Sequence, residues 1–248
     1  MARFILIHGM FHGGWCWDRI EQRLRQAGHQ VVAPDLAGCG SDQTPVADVS
    51  LERWVTDVSN LVKGDSRKAI LVGHSRGGLV ISQVAERTAP NVAAVVYLTA
   101  LMLPDGRAAM ELPAIMTEEG FDGASLSQGA GFGMSADGQS MFAQESLVEA
   151  FYSNCSEEDR VFAVPRLGPE AIAPTMTKLS LTASRWGSLP RIYIETTRDN
   201  VLPIEAQRAM IARSKPTEVH SMDADHMPIF NDVERLAGIL ESVAVRFT

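Results

Sequence analysis

The chemistry-bearing stretch of this chain is Gly73-His74-Ser75-Arg76-Gly77-Gly78. An apolar run, Ala69-Ile70-Leu71-Val72, precedes it and reads as a buried strand. Leu79-Val80-Ile81-Ser82-Gln83-Val84-Ala85 follows and reads as a helix. Ser75 thus falls on a sharp strand-to-helix turn with glycines at minus two and plus two, the G-x-S-x-G nucleophile elbow. A turn that pushes one hydroxyl into a cleft leaves little room for β-carbons on neighbouring backbone. A serine hydroxyl becomes nucleophilic only beside a base, and the base needs an acid to orient it. The order expected after such an elbow is serine, carboxylate, histidine. The strand pattern Arg191-Ile192-Tyr193-Ile194-Glu195-Thr196-Thr197 ends at Arg198-Asp199-Asn200, and Glu218-Val219-His220-Ser221-Met222 leads into Asp223-Ala224-Asp225-His226-Met227. Ser75 is therefore the expected nucleophile of a catalytic triad. His226 is the general base and later acid, and Asp199 the carboxylate that fixes the imidazole tautomer.

Each assignment has rivals. Asp223 and Asp225 adjoin His226 but suit loop shaping better than a bond to a neighbouring ring. Glu195 and His220 fall within strands, and the elbow directs His74 away from the serine hydroxyl. An oxyanion hole is expected from the amide after the nucleophile and an amide in an early loop. The strand Arg3-Phe4-Ile5-Leu6-Ile7 runs into His8-Gly9-Met10-Phe11-His12-Gly13-Gly14-Trp15, so the N–H groups of Met10 and Arg76 are the expected donors. Gly9, Phe11, His12 and Met227 are the expected substrate-binding positions. The Arg76 side chain has two readings, an ion pair with a nearby carboxylate or contact with a polar or anionic substrate. No Walker pattern and no G-x-G-x-x-G is present, so the loop does not read as a phosphate cradle.

To position these groups the chain alternates strands and helices. The first block reads as strand 3–8, helix 16–26, strand 30–33, helix 51–63, strand 69–73, helix 77–88 and strand 92–98. The closing block reads as strand 191–197, helix 205–213, strand 217–222 and helix 232–245. Such alternation predicts an α/β architecture, a mainly parallel sheet with helices on both faces. Residues 104–188 interrupt it with a segment rich in Met, Ala, Gly and Ser, expected to form a cap over a core made of 1–103 and 189–248. Flexible thioethers there would suit an adaptable apolar pocket.

The whole length, 248 residues, suits one such unit. With 22 Lys and Arg against 30 Asp and Glu, the net charge of −8 speaks against nucleic-acid and anionic-membrane partners. The apolar start is too short for a signal peptide and no run reaches membrane-spanning length. Cys16, Cys39 and Cys155 follow no metal or redox spacing, and six scattered histidines give no zinc set, so no metal or cofactor is expected. Free thiols point to a cytoplasmic protein.

His8 through Trp17, the elbow, Asp199 with its Asn-Val-Leu-Pro sequel, Asp225-His226-Met227, Phe151 to Asp159 and Trp186 to Arg191 together resemble the plant methylesterase and hydroxynitrile lyase group of α/β-hydrolases, which includes bacterial-type small esterases. The resemblance spans nearly the whole chain and is weaker from about 107 to 146. It implies the α/β-hydrolase fold with a helical cap, an esterase acting on a small-molecule ester without cofactor, and frequent homodimers. Bacterial relatives of this kind hydrolyse aromatic, carbamate and pyrethroid esters. Two alternatives share the scaffold: a hydroxynitrile lyase and a non-catalytic ligand-binding protein. Lyases of the group carry a Lys directly after the catalytic His and a Thr after the early-strand His, where this chain has Met227 and Gly9.

Overall fold

The structure, a computed structural model, describes residues 1–124 and 131–248. Strand β1 (Arg3–Ile7) leads through a 3-10 turn (Gly14–Trp17) to helix α1 (Asp18–Gln26) and strand β2 (Gln30–Val32). Helix α2 (Leu51–Lys63), strand β3 (Ala69–His74), helix α3 (Gly77–Thr88) and strand β4 (Val92–Leu98) follow. The chain ends with β8 (Arg191–Thr196), α8 (Ile204–Ser214), β9 (Glu218–Met222), α9 (Pro228–Asn231) and α10 (Val233–Phe247). Between β4 and β8 lie α4 (Leu112–Glu118), β5 (Phe132–Met134), β6 (Ser140–Ala143), α5 (Glu145–Phe151), α6 (Glu157–Ala163), β7 (Glu170–Ala171) and α7 (Ala173–Met176).

Six strands form one sheet in the order β2-β1-β3-β4-β8-β9, with every pairing parallel. Strand alternation sends successive side chains to opposite faces. Ile5, Ile7, Leu71, Val95, Tyr97 and Tyr193 enter one buried cluster, with Trp54, Val55 and Val58 of α2 and Leu79 and Val80 of α3. Phe4, Leu6, Ile70, Val72, Val96, Ile192 and Ile194 enter the other, with Ile20 and Leu24 of α1 and Leu236 and Leu240 of α10. Both faces are therefore covered, which explains why the central strands are apolar throughout. Helix α2 shows the local logic. Ser50 caps it by accepting the Arg53 N–H at 3.1 Å, and Leu51, Trp54, Val55, Val58 and Val62 recur at helical spacing on its buried side. Each such side chain contributes about 1.5–3 kcal/mol by leaving water.

The segment expected to be helical also carries a three-stranded antiparallel sheet, β5-β6-β7. Among the described residues its buried apolar side chains join the two core clusters rather than a third. Leu112, Ile115 and Met116 join the cluster of α2 and α3, while Met141, Phe151 and Tyr152 join that of α1 and α10. Phe132, Met134 and Phe142 remain exposed. Among the described residues no helix is long and apolar enough to cross a membrane.

Candidate active site

β1 pairs with β2 on one side and β3 on the other, so the chain changes direction at β1. Such a reversal opens a crevice at the carboxyl ends of the two central strands. Ser75 stands there, directly after β3, and the Gly9–Phe11 loop leaves β1 beside it. Ser75 has φ of +53°, the left-handed region that L-residues rarely adopt. Surrounding bonds hold this backbone: Ser75 N–H donates to Leu98 C=O at 3.2 Å, and Ser75 C=O accepts from Gly78 at 3.1 Å and Leu101 at 3.0 Å. At Gly77 a β-carbon would lie 2.7 Å from the Ile7 carbonyl oxygen, so helix α3 can approach β1 only with glycine there.

The three residues expected to act together do meet. His226 Nε2 lies 2.9 Å from Ser75 Oγ, and Nδ1 lies 2.7 Å from Asp199 Oδ2. An ionised carboxylate only accepts, so Nδ1 carries the proton and Nε2 is left to accept from the serine hydroxyl. Asp199 is saturated. Oδ2 also accepts from Thr99 Oγ1 at 2.6 Å and Thr196 Oγ1 at 3.1 Å, and Oδ1 accepts the Val201 and Leu202 N–H groups, both at 2.8 Å. Burial alone would push this carboxyl up. The adjacent His226 ring and the bonds from Thr99 and Leu202 outweigh burial and hold it below its ordinary value.

The rivals are placed elsewhere. Glu195 pairs with Arg208 at 3.1 Å and accepts from Ser221, Asp223 pairs with Arg198, and His220 lies 3.5 Å from Glu218. His74 donates through Nε2 to the His226 carbonyl at 2.7 Å, which holds the loop carrying the base. Asp225 is fully buried and ties that loop to the segment after α5: it accepts from Asn154 N–H at 2.6 Å, Met227 N–H at 2.9 Å and Asn231 Nδ2 at 2.5 Å.

Among the described residues neither the Met10 nor the Arg76 N–H has a hydrogen-bond partner. At Gly9 a β-carbon would come within 2.9 Å of both Ser75 Cβ and His74 Nδ1, so the loop can lie against the serine only with glycine. Phe11 and His12 line a cleft of about 210 Å³ with Gly38, Cys39 and Asp42, and Ser75 is not part of its wall. His12 is itself buried. Its Nδ1–H donates to Met10 C=O at 2.5 Å, so Nε2 accepts from the Tyr152 hydroxyl at 2.7 Å. Met227, expected in the substrate site, is fully enclosed within the cluster of α1 and α10 rather than on an open wall.

Arg76 settles between its two readings on the ion pair. Its guanidinium and the Glu170 carboxylate are each 1% exposed, with Nη1 2.9 Å from Oε1. The N–H is not aimed at that oxygen, so charge holds the contact rather than a directed hydrogen bond. The guanidinium also lies 4.1 Å over the Trp54 ring. Burial pushes the Glu170 carboxyl up, against the opposing pull of Arg76 and the Phe11 N–H. Glu170, Thr99 and Thr196 escaped the sequence reading. Thr99 and Thr196 follow or close strands without a motif of their own, and Glu170 sits in a two-residue strand.

No group of three or more His, Cys, Asp or Glu suited to holding a metal occurs among the described residues. A profile of the alpha/beta hydrolase family matches residues 4–239. Methylesterase 10 of Arabidopsis thaliana is 30% identical over 267 residues, covering 100% of this chain and 93% of its own. The crystal structure of a pyrethroid hydrolase from Sphingobium faniae superposes with a TM-score of 0.85 at 28% identity, over 98% of this chain and 97% of that one. Methylketone synthase I of tomato, at 24% identity, shares the fold with a TM-score of 0.87 over 100% and 99% of the two chains.

Proposed function

This chain belongs to the alpha/beta hydrolase family, and from that premise we propose that it cleaves a small aromatic or apolar carboxylic or carbamate ester through an acyl-enzyme on Ser75. Kinship with methylesterases along its whole length makes it a carboxylic ester hydrolase. The observation that carries the mechanism is the unbroken relay Ser75–His226–Asp199 at 2.9 and 2.7 Å. Ser75 Oγ attacks the ester carbonyl carbon as Nε2 of His226 takes its proton. The N–H groups of Met10 and Arg76 receive the oxyanion, a reading supported by their freedom from other partners. Collapse expels the alcohol, protonated by Nε2–H, and a water repeats the sequence to free the acid. Asp199 stays ionised throughout and stabilises the imidazolium.

Residues 104–188 act as the cap, and Phe151, whose ring lies 5.4 Å from that of His226, gives the site an apolar wall. The name of a structural relative, a pyrethroid hydrolase, supports an apolar ester as substrate. The lyase alternative lacks its cation. Met227 follows the histidine, and the Arg76 guanidinium is committed to Glu170. We place the enzyme in the cytoplasm on its three free thiols, and the dimers implied by the resemblance are tested by its mass in solution.

The test is a hydrolysis screen over aryl, methyl and carbamate esters, with mandelonitrile alongside. Ser75→Ala and His226→Ala lower kcat by about 10³ or more while the fold persists. A serine-directed phosphonate labels Ser75, EDTA leaves the rate unchanged, and cyanide release is negligible. Ester turnover that survives Ser75→Ala ends the triad reading, and Ser75-dependent cyanide release above ester turnover reverses the choice of reaction.

A further inference from the structure

The buried pair Arg76–Glu170 lies outside the relay, yet it grips the loop beside the serine at two points. Arg76 Nη2 donates to Gly9 C=O at 3.2 Å, and His8 Nδ1–H donates to the same oxygen at 2.9 Å. The His8 tautomer is fixed because the Leu36 N–H donates to its Nε2 at 3.2 Å. On the next peptide, Glu170 Oε2 accepts the Phe11 N–H at 3.0 Å while Met10 C=O accepts from His12 Nδ1–H. Phe11 has φ of +65°, a conformation an aromatic residue keeps only when its surroundings impose it.

A trans peptide unit points its C=O and N–H in opposite directions. With the Gly9 carbonyl drawn toward the Arg76 guanidinium and His8, the Met10 N–H is turned the opposite way. We propose that the Arg76 side chain and Glu170 are positioning residues that set the direction of the Met10 amide, so that the oxyanion hole is assembled jointly by the elbow and by a strand from the segment between β4 and β8. The inference rests on the serine-esterase reading above. The backbone N–H of Arg76 serves as a donor, whereas its side chain acts only through the Gly9–Met10 peptide. Both charged side chains are only 1% exposed, so their loss should weaken transition-state stabilisation without altering ground-state binding.

Removing one member would strand a buried charge and endanger folding. The test therefore uses Arg76→Met/Glu170→Gln, which removes both charges and keeps an acceptor for the Phe11 N–H. For p-nitrophenyl acetate we expect kcat to fall about 10- to 100-fold, less than the full loss of an oxyanion donor, with KM changed by less than about threefold. Affinity for an aryl trifluoromethyl ketone, whose adduct with Ser75 places an oxyanion in the hole, should fall by a similar factor. Arg76→Lys keeps the charge but cannot span Glu170 and Gly9 C=O with two nitrogens, so its kcat should be intermediate. That variant decides the matter if the double variant does not fold. Wild-type kcat and ketone affinity in a folded variant overturn the proposal, as does a loss confined to KM. Hydrolysis independent of Ser75 in the parent enzyme would instead overturn the esterase reading.

Discussion

At the scale of single residues, Asp199 differs from Glu170 in what surrounds each carboxylate. Both are buried. Asp199 receives two backbone N–H groups, two hydroxyls and an imidazole N–H, and its proton affinity falls below the ordinary value. Glu170 receives one backbone N–H and one guanidinium, and burial wins. The difference favours the Asp199 anion, which holds the His226 Nδ1 proton in place. Asp199→Asn tests this directly. The amide can present its NH₂ toward the ring, reversing the tautomer so that Nε2 carries the proton and cannot accept from Ser75. We expect kcat to drop by about 10³–10⁴ with KM little changed and the thermal midpoint close to the parent. A tenfold loss or less would mean that Asp199 does not set the tautomer.

Among the elements, the β3–α3 junction is tightly constrained. The helix enters so close to β1 that a Gly77 β-carbon would lie 2.7 Å from the Ile7 carbonyl oxygen. Backbone, unlike a side-chain tip, cannot step aside. Gly77→Ala should therefore cost about 1–3 kcal/mol in urea unfolding and reduce activity by displacing Ser75. Unchanged stability would show that the strand and helix have room to part. This junction was legible in the sequence because the requirement is local: two glycines, a serine, a strand before and a helix after. His226 and Asp199 were legible by chain order at strand ends, and the strand and helix bounds follow the apolar periodicity within a residue or two. The β5-β6-β7 sheet was not legible. Its strands hold two to four residues, too few for alternation to declare itself, and Phe132, Met134 and Phe142 face outward where polar residues would mark a solvent side. The Arg76–Glu170 pair was half legible. Arg76 called for a carboxylate, but only the fold brings β7 beneath the early loop.

Across the whole molecule, three of the four fully buried histidines, His8, His12 and His74, couple the site to acid stability. Burial, ahead of repulsion from neighbouring cationic groups, pushes His8 down to about 3, His12 to about 4 and His74 well below its ordinary value of 6.5. Each therefore stays neutral in the folded protein and gains a proton on unfolding below pH 6.5. The unfolded chain binds more protons, so stability is fully present above that value and falls as pH drops toward the folded values. Between pH 6.5 and 5 each histidine should remove about 1.5 kcal/mol, while Glu170, whose folded value is raised, acts in the opposite sense. Urea unfolding across this range should show a falling free energy. His12→Asn keeps a donor for the Met10 carbonyl but cannot titrate, so its slope should be shallower by about 1 kcal/mol per pH unit, whatever its absolute stability. Parallel slopes for the two proteins would remove His12 from the account, and a parent most stable at pH 5 would mean that carboxylates rather than the buried imidazoles govern the acid limb.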